Sequence, residues 1–375
     1  MGWIKKVATG LVIVGSSIAA TLFIIDLGLR LTPLTRLLAY EGMPRGYYVS
    51  DERLGYDIAK NFATSTHRFA DGEYSIWSNE LGCFDTPYTG EESYILLLGD
   101  SFVWGFAPLE SKWGTILERE LGTRVLKCGV AGYGTRQALE KGARLLGQLP
   151  PPTVVILGYF SNDPENDAEF PNNLVYDGQL IKNLEPDRSK SIQDIMAALP
   201  ESAERSKKYC MWNEPEHPTL QRAKCFLSRQ SIIYTLIRNT AKSSISLDTL
   251  RRFGVVNQPP ESEQEPPYPD YAEHFARIEA FASLLKSRGS ALVVVLVASK
   301  EGLDVNQYAE AKLAFDRLHI PYIDLAPAFR TAISDGKELF WSKDMHWNEA
   351  GNQLAGRVVS DEINRLRLFA DDLQL

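Results

Sequence analysis

A serine and a histidine that are far apart in this sequence each have an acidic residue close by. The serine comes directly after a stretch of apolar side chains, and the histidine comes shortly before a helical pattern. Ser101 follows the run LLLGD, and His346 lies in the block DMHWN. A serine hydroxyl is a poor nucleophile until a base takes its proton, and histidine suits that role near neutral pH. Asp344, two residues before His346, could hold the imidazole in one tautomer. These residue types predict nucleophilic attack on a carbonyl carbon.

Attack of this kind produces a tetrahedral intermediate, and its oxyanion needs hydrogen-bond donors. Two further blocks could supply them, GVAGYG at 129–134 and SND at 161–163. We expect the backbone N–H groups of Ser101 and Gly132 and the side-chain amide of Asn162 to form the oxyanion hole. A glycine lets the backbone come close to a substrate, and the other two glycines of the first block compete with Gly132 for this role.

Each candidate also has an ordinary structural interpretation. Ser101 could be a helix N-cap, Asn162 a turn residue, and His346 a surface histidine near the start of a helix. The four blocks occur together, and each is expected beside a strand end. That combination favours the catalytic interpretation over four separate structural ones.

The elements that must position these residues are short strands alternating with helices. Apolar runs predict five strands, at 94–99, 124–130, 153–160, 291–299 and 321–327. Helical patterns follow at 113–121, 135–149, 274–289, 305–318 and 348–367. This alternation is typical of right-handed βαβ units. It predicts an α/β fold, a flavodoxin-like three-layer α/β/α sandwich with a parallel five-stranded sheet. Sites in such sheets lie at the carboxyl ends of the strands.

A long segment interrupts the alternation between the third and fourth strands. Residues 164–270 are too many for a structureless loop in a compact domain. Two helical patterns within them predict a helical insertion that forms a cap. The sequence therefore divides into a membrane anchor at 1–29, a stalk and irregular segment with short strands at 30–93, and a catalytic domain at 94–375 that contains the cap.

The N-terminal segment is apolar enough to span a bilayer. An uncharged run from Val7 to Ile25 follows Lys5 and Lys6, and a span needs about 20 such residues. We expect an uncleaved, single-pass transmembrane helix with the catalytic domain outside the cytoplasm. A signal peptide cleaved near Ser17–Ala20 is the alternative. A buried core helix fits less well because the run lacks a polar face.

Composition excludes several classes of function. The 375 residues carry a formal net charge of −8, and no basic stripe with interleaved aromatic residues is present, which argues against nucleic acid as a partner. The four cysteines (Cys83, Cys128, Cys210 and Cys225) form no CxxC pair, which argues against a zinc site. The chemistry needs no metal or organic cofactor. For a domain outside the cytoplasm, a disulfide between Cys210 and Cys225 is expected, with four unpaired thiols as the alternative.

The four blocks resemble those of the SGNH (GDSL-type) hydrolase family, named for Ser, Gly, Asn and His. The resemblance covers roughly residues 94–165 and 290–367. It implies a flavodoxin-like fold, with Ser101 as nucleophile, Gly132 and Asn162 as oxyanion donors, and His346 as base. The chain departs from the family pattern in having Asp-x-His rather than Asp-x-x-His. Its DxHW sequence is similar to that of polysaccharide O-acetyltransferases in the same superfamily.

The residues predict a membrane-anchored, extracytoplasmic serine esterase that hydrolyses an acyl ester of a glycan or lipid through an acyl-enzyme. An O-acyltransferase is the alternative, with a sugar hydroxyl in place of water, and a cap that excludes water would favour it. A non-catalytic binding module of the cell envelope is the third hypothesis. The residues specify neither the acyl chain nor the oligomeric state.

Overall fold

The structure is a computed structural model. It describes residues 2–32, 43–69, 71–91, 93–176, 178–183, 190–197, 223–224, 226–227, 231–237, 269–303 and 307–366. These residues fall into two compact units. The first comprises the described residues within 1–42, 69–72 and 207–264, and the second comprises the remainder. The domain boundaries expected from the sequence stay a prediction.

The first unit contains helix α1, Gly2–Leu29. Its segment Val12–Leu29 has a mean hydropathy of 2.1 and is only 6% buried, which suits a membrane anchor or a signal sequence equally. Near the end of this helix, Asp26 Oδ1 accepts hydrogen bonds from Ser231 Oγ and from the backbone N–H of Ile233, both at 3.0 Å. The carboxylate therefore caps the start of residues 231–237, which are mostly helical.

Two antiparallel hairpins precede the main sheet. Strands β1 (Tyr48–Asp51) and β2 (Gly55–Ile58) form the first, and β3 (Ser65–Phe69) and β4 (Gly72–Ile76) form the second. The sequence predicted short strands in this segment without placing them. A later hairpin, β8 (Asn173–Tyr176) with β9 (Gln179–Lys182), lies in the region where only a helical insertion was expected.

The predicted parallel five-stranded sheet is confirmed. Its strands are β5 (Tyr94–Leu98), β6 (Arg124–Lys127), β7 (Val154–Tyr159), β10 (Ala291–Leu296) and β11 (Tyr322–Asp324). Their order is β11-β10-β7-β5-β6, and the pairs are parallel. Strand β5 therefore lies between β6 and β7. The strand that ends just before Ser101 is flanked by the strands that end just before the other two blocks.

Helices follow the strands in the expected places. They are α2 (Ser101–Trp104), α3 (Trp113–Leu121), α4 (Thr135–Leu146), α5 (Asp163–Ala168), α6 (Ile192–Ala197), α7 (Tyr271–Ser287), α8 (Ala309–Leu318), α9 (Ala326–Ser334) and α10 (Glu349–Arg365). Helix α9 overturns one boundary, since the predicted fifth strand extended through Pro327. Proline has no N–H to donate and suits the first turn of a helix, where α9 uses it.

Alternate residues of each strand face two separate cores, which makes the fold three-layered. Leu96 and Leu98 of β5 pack in a core with residues of α4, α7 and α8. Ile95 and Leu97 pack in a second core with residues of α3, α9 and α10. Because both faces of the sheet are covered, the three central strands β5, β7 and β10 are apolar and almost completely buried. The edge strands β6 and β11 also carry charged residues.

A disulfide joins Cys83 to Cys128, so the expectation of four unpaired thiols is wrong. Cys128 follows β6 directly and begins the loop that carries Gly132. Nothing in the spacing of 45 residues marked this pair in the sequence. The expected pair, Cys210 and Cys225, lies outside the described residues.

Removing this disulfide should lower the melting temperature. Cross-linking a loop of 45 residues restricts the unfolded chain, and the chain-entropy relation gives about 4 kcal/mol for that length. We expect Cys83→Ala/Cys128→Ala to unfold earlier than the wild type in thermal denaturation followed by circular dichroism. Reductant should destabilise the wild type but change the double variant little. An equal effect of reductant on both proteins would assign the stabilisation to Cys210 and Cys225 instead.

Candidate active site

Ser101 is placed by an abrupt turn from the central strand into a helix. Strand β5 ends at Leu98, Gly99 adopts φ +149°, and α2 begins at Ser101. The carboxylate of Asp100 caps this helix by accepting the N–H of Phe102 at 2.9 Å. The serine therefore occupies the first helical position at the carboxyl end of the middle strand.

Helix α2 can sit this close to the sheet because three glycines make room for Val103. A Cβ on Gly99 or on Gly129 would lie 2.5 Å from a Val103 methyl group, and a Cβ on Gly158 would also collide with it. The three glycines follow or belong to three different strands. We call the space between them the Val103 socket. It fixes α2, and with it Ser101, on the strand ends.

The structure brings Ser101, His346 and Asp344 into one hydrogen-bonded chain. Ser101 Oγ lies 2.7 Å from His346 Nε2, and His346 Nδ1 lies 2.5 Å from Asp344 Oδ1. The same oxygen accepts the backbone N–H of His346 at 2.9 Å. A carboxylate on Nδ1 requires a proton there, which leaves the Nε2 lone pair for the serine hydroxyl. The short Asp-x-His spacing thus still lets the carboxylate reach the ring.

Asp344 is suited to remain charged. Burial raises the pKa of its carboxyl group, but the hydrogen bonds and charge of His346 outweigh burial, so the pKa lies below its usual value. The charge of His67 acts in the same direction. An anionic Asp344 favours a proton on Nδ1 of His346 and stabilises the imidazolium form.

Aromatic rings hold the imidazole in place. Phe106 stacks on His346 with ring centroids 4.0 Å apart and an interplanar angle of 17°, and Phe102 contacts it at 4.8 Å. Trp341 donates its indole N–H to Phe106 O at 2.8 Å and its backbone N–H to His346 O at 3.0 Å. The sequence carried no signal for these contacts, which join distant loops.

A buried lysine supports the other end of helix α2. Lys112 is 1% exposed. Its Nζ donates a hydrogen bond to Trp104 O and lies 3.4 Å from the centroid of the Phe84 ring. Burial holds its pKa well below the usual value for lysine. This role was missed, because a lone lysine in the sequence most often lies on the surface.

Gly132 lies in the loop after β6 with φ +86°. A Cβ there would lie 2.7 Å from Tyr56 Oη, and that hydroxyl donates to Ala131 O at 2.9 Å. The backbone N–H of Val130 donates to Gly99 O at 3.0 Å, which holds this loop against the turn that carries Ser101. Both the φ angle and the space therefore require glycine at position 132.

Asn162 lies at the N-cap position of α5, in the loop after β7, and its side chain makes no capping hydrogen bond. Asn162 is exposed to solvent. The neighbouring Asp163 organises the turn instead, accepting the hydroxyl of Thr135 at 2.8 Å and the N–H of Phe160 at 3.4 Å. The amide of Asn162 is thus not consumed in holding the loop.

Two buried acids beneath the serine have raised pKa values. Burial raises the pKa of Asp100 to about 6, against the hydrogen bond from Phe102 and the charge of His346. Burial and the charges of Asp100 and Asp167 raise the pKa of Asp163 well above its usual value. Both side chains hold backbone turns, as their hydrogen bonds show.

The second unit contains a cleft of about 660 Å³ that does not include the residues around Ser101. Residues of α4, α6 and α7 line it, whereas Ser101, Asp344 and His346 do not. Among the residues that the structure describes, no group of three or more His, Cys, Asp or Glu side chains is arranged to hold a metal ion.

The Val103 socket gives a stability prediction. Gly158→Ala should destabilise the fold by about 1–3 kcal/mol, the usual cost of overpacking, because its Cβ has no space beside Val103. Val103→Ala removes the obstructing methyl groups. In urea denaturation, the double variant should therefore lose less stability than the sum of the two single variants. Strict additivity would show that Val103 does not restrict position 158.

Asp100 gives a prediction about pH. A folded-state pKa of about 6 exceeds the unfolded value, so the folded protein binds the proton more tightly, and stability is lost as pH rises from about 4 through 6. Asp100→Asn keeps an oxygen for the Phe102 N–H and cannot ionise. We expect the variant to gain on the order of 2 kcal/mol relative to the wild type between pH 4 and 7.5 in urea denaturation. A difference that does not change with pH would refute this.

Comparisons with known proteins agree with the sequence blocks. A family profile described as "SGNH hydrolase-like domain, acetyltransferase AlgX" matches residues 260–374. That range covers less than half of the chain and contains Asp344 and His346, but it begins after Ser101, Gly132 and Asn162 in the sequence. Among curated proteins, none matches significantly.

Solved structures with a similar arrangement share little sequence with this chain. A G-D-S-L family lipolytic protein from Veillonella parvula has 12% identity and a TM-score of 0.38, covering 73% of this chain and 99% of its own. The esterase EstA from a Pseudoalteromonas species has 11% identity and a TM-score of 0.37, and the match covers 74% of this chain and 98% of EstA. A mutant of the acetylxylan esterase Axe2 from Geobacillus stearothermophilus has 14% identity and a TM-score of 0.36, and the match covers 74% of this chain and 95% of Axe2.

These structural likenesses carry no conclusion about activity. The profile match, the parallel sheet and the four blocks at its strand ends agree with one another. Residues 260–374 therefore match an SGNH hydrolase-like domain, and the chain resembles the SGNH hydrolase superfamily.

Proposed function

We propose that this protein is a serine esterase with Ser101 as nucleophile, His346 as general base and acid, and Asp344 as the carboxylate that orients His346. One observation carries the proposal. The Ser101 hydroxyl lies 2.7 Å from His346 Nε2, and Asp344 Oδ1 lies 2.5 Å from Nδ1 of the same ring. This is the arrangement that a weakly nucleophilic hydroxyl needs in order to lose its proton during attack.

The reaction has two stages. Ser101 Oγ bonds to the ester carbonyl carbon as its proton moves to His346 Nε2, and collapse of the intermediate breaks the bond to the leaving oxygen, which takes that proton. Water then attacks the acyl carbon and gives a proton to His346 Nε2. The bond between the acyl carbon and Ser101 Oγ breaks, Oγ takes that proton, and the carboxylic acid is released. Asp344 stabilises the imidazolium at each stage.

The oxyanion donors in this proposal are the N–H groups of Ser101 and Gly132 and the amide of Asn162. Their loops follow β5, β6 and β7, three adjacent strands of the sheet. The φ angle of +86° at Gly132 and the uncapped amide of Asn162 support these assignments. Donors fixed before the reaction stabilise the developing charge without reorganising.

Transfer of the acyl group to a sugar hydroxyl is the second candidate. The description of the matched family profile names an acetyltransferase, and this observation favours it. The two reactions share the first stage and differ in whether water or an alcohol attacks the acyl-enzyme. The same residues would serve both.

We also propose that α1 anchors the enzyme with its catalytic domain outside the cytoplasm. The apolar segment Val12–Leu29 is long enough to span a bilayer. The disulfide between Cys83 and Cys128 supports the location, because disulfides persist in oxidising compartments. An acyl ester of an envelope glycan or lipid is the corresponding substrate class.

The test is hydrolysis of p-nitrophenyl esters from acetyl to octanoyl by the full chain in detergent. Ser101→Ala and His346→Ala should each lower kcat by about 10⁶-fold, and Asp344→Asn by about 10⁴-fold, because the amide favours the wrong tautomer. Adding an oligosaccharide acceptor then separates the two candidates. Acylated sugar formed at the expense of free acid would favour transfer.

Labelling by a fluorophosphonate probe provides the control. Labelling at Ser101 that is lost in His346→Ala would support an activated nucleophile even where p-nitrophenyl esters react slowly. If the wild type neither turns over any ester nor labels at Ser101, the esterase and the transferase are both wrong, and the binding module expected as the third hypothesis gains support.

A further inference from the structure

A second buried histidine–carboxylate pair lies outside the proposed catalytic residues. His274, in the first turn of α7, is 2% exposed. Its Nδ1 lies 2.8 Å from Asp167 Oδ2, and its Nε2 lies 3.1 Å from Tyr159 Oη. The three residues come from α7, α5 and β7, so the network joins elements that are far apart in the sequence.

The hydrogen bonds of this network run in one direction. The carboxylate of Asp167 can only accept, so a neutral His274 carries its ring proton on Nδ1 and donates it to Asp167. Nε2 then accepts the hydroxyl of Tyr159. The other oxygen of Asp167 accepts the backbone N–H of Arg136 at 2.8 Å. Each polar group has a matching partner, which makes the network rigid.

The two ends of the network lie beside the two proposed oxyanion loops. Tyr159 is the last residue of β7, three residues before Asn162. Arg136 is in the first turn of α4, four residues after Gly132. Asp167 therefore connects the two loops through its two oxygens. Oδ1 binds the N–H of Arg136 after the Gly132 loop, and Oδ2 reaches Tyr159, before the Asn162 loop, through His274.

The fit between these loops is tight at Asp167. A Cβ on Gly134 would lie 2.6 Å from Asp167 Oδ1, so α4 begins in direct contact with the carboxylate. A second link runs from the hydroxyl of Thr135 to Asp163 at 2.8 Å. The spacing between the loops is thus set by side chains of α5 packed against the start of α4, and His274 fixes the orientation of the Asp167 side chain.

We propose that His274 and Asp167 are positioning residues that hold the Gly132 and Asn162 donors at the spacing the oxyanion requires. The proposal rests on the proposed function, since it presumes an oxyanion at Ser101. His274 acts through Asp167 and Tyr159 and touches no reacting atom. Its loss should therefore weaken transition-state stabilisation and leave substrate binding in the ground state unchanged.

The experiment compares three variants of the full chain in detergent, with active sites counted by fluorophosphonate titration. His274→Leu removes both hydrogen bonds and should lower kcat per titrated site by about 10- to 100-fold at unchanged KM, as expected for donors displaced by a fraction of an ångström. His274→Asn restores a donor near the position of Nδ1 and should recover most of this loss. Ile278→Ala, one turn later on α7 and fully buried, should lower the melting temperature but keep kcat per site.

An alkylboronic acid supplies a second measurement, because its tetrahedral adduct with serine occupies the oxyanion hole. Its inhibition constant should rise in His274→Leu by the same factor as kcat/KM falls. A purely structural role predicts fewer titrated sites with unchanged kcat and unchanged boronate affinity at each site, and that result overturns the proposal.

The outcomes separate this inference from the proposed function. If the wild type turns over esters, Ser101→Ala does not, and His274→Leu keeps its kcat per site, the positioning role alone is wrong. If the wild type has no serine-dependent activity, both are wrong. Should His274→Leu give no titratable sites, His274→Gln replaces it, since its amide reaches toward Tyr159 rather than Asp167. The same loss in kcat is expected, and a normal kcat overturns the proposal.

Discussion

The close contact between Val103 and three glycines at the strand ends is the constraint on which the rest of the site depends. Any side chain on Gly99, Gly129 or Gly158 would push α2 away from the sheet. Helix α2 has only four residues, too few to be stable by its own hydrogen bonds. Its position is therefore determined by what it packs against. Because Ser101 is its first residue, the same packing determines where the hydroxyl lies relative to the neighbouring strand ends.

The histidine reaches Ser101 by a different route, through a loop that follows α9 and is held by contacts at both sides. Trp347 donates its indole N–H to Ala298 O at 2.7 Å, beyond the end of β10, and packs on Phe102 at 5.1 Å. Asn348 caps α10 by accepting the N–H of Gly351 at 2.9 Å. His346 lies just before these two fixed residues, so the chain can place its imidazole over α2 although 245 residues separate it from Ser101.

The sequence predicted the parts of this architecture that local chemistry determines. Continuous apolar runs identified the three central strands, because helices cover both faces of the sheet there, and Asn348 marked the start of α10 by its capping propensity. The pairing of Cys83 with Cys128, the stacking of Phe106 on His346 and the burial of Lys112 were not predictable. Each joins segments distant in sequence, and neither composition nor spacing records which loops will meet. Pro327 illustrates the remaining ambiguity, since a short apolar stretch before a proline fits both the end of a strand and the first turn of a helix.

Three aspartates near the serine differ in charge behaviour because their partners differ. Asp344 faces an imidazole that can become a cation, and its pKa lies below the usual value despite burial. Asp100 is more completely buried and receives mainly a backbone N–H, so its pKa rises to about 6. Burial and the charge of Asp100 raise the pKa of Asp163 well above its usual value. Burial disfavours negative charge beneath Ser101, where the proposed oxyanion would form, whereas His346 retains it at Asp344, on the far side of the imidazole. The negative charge of Asp344 is thus kept apart from the proposed oxyanion. It stabilises the imidazolium form of His346 without repelling an oxyanion at Ser101.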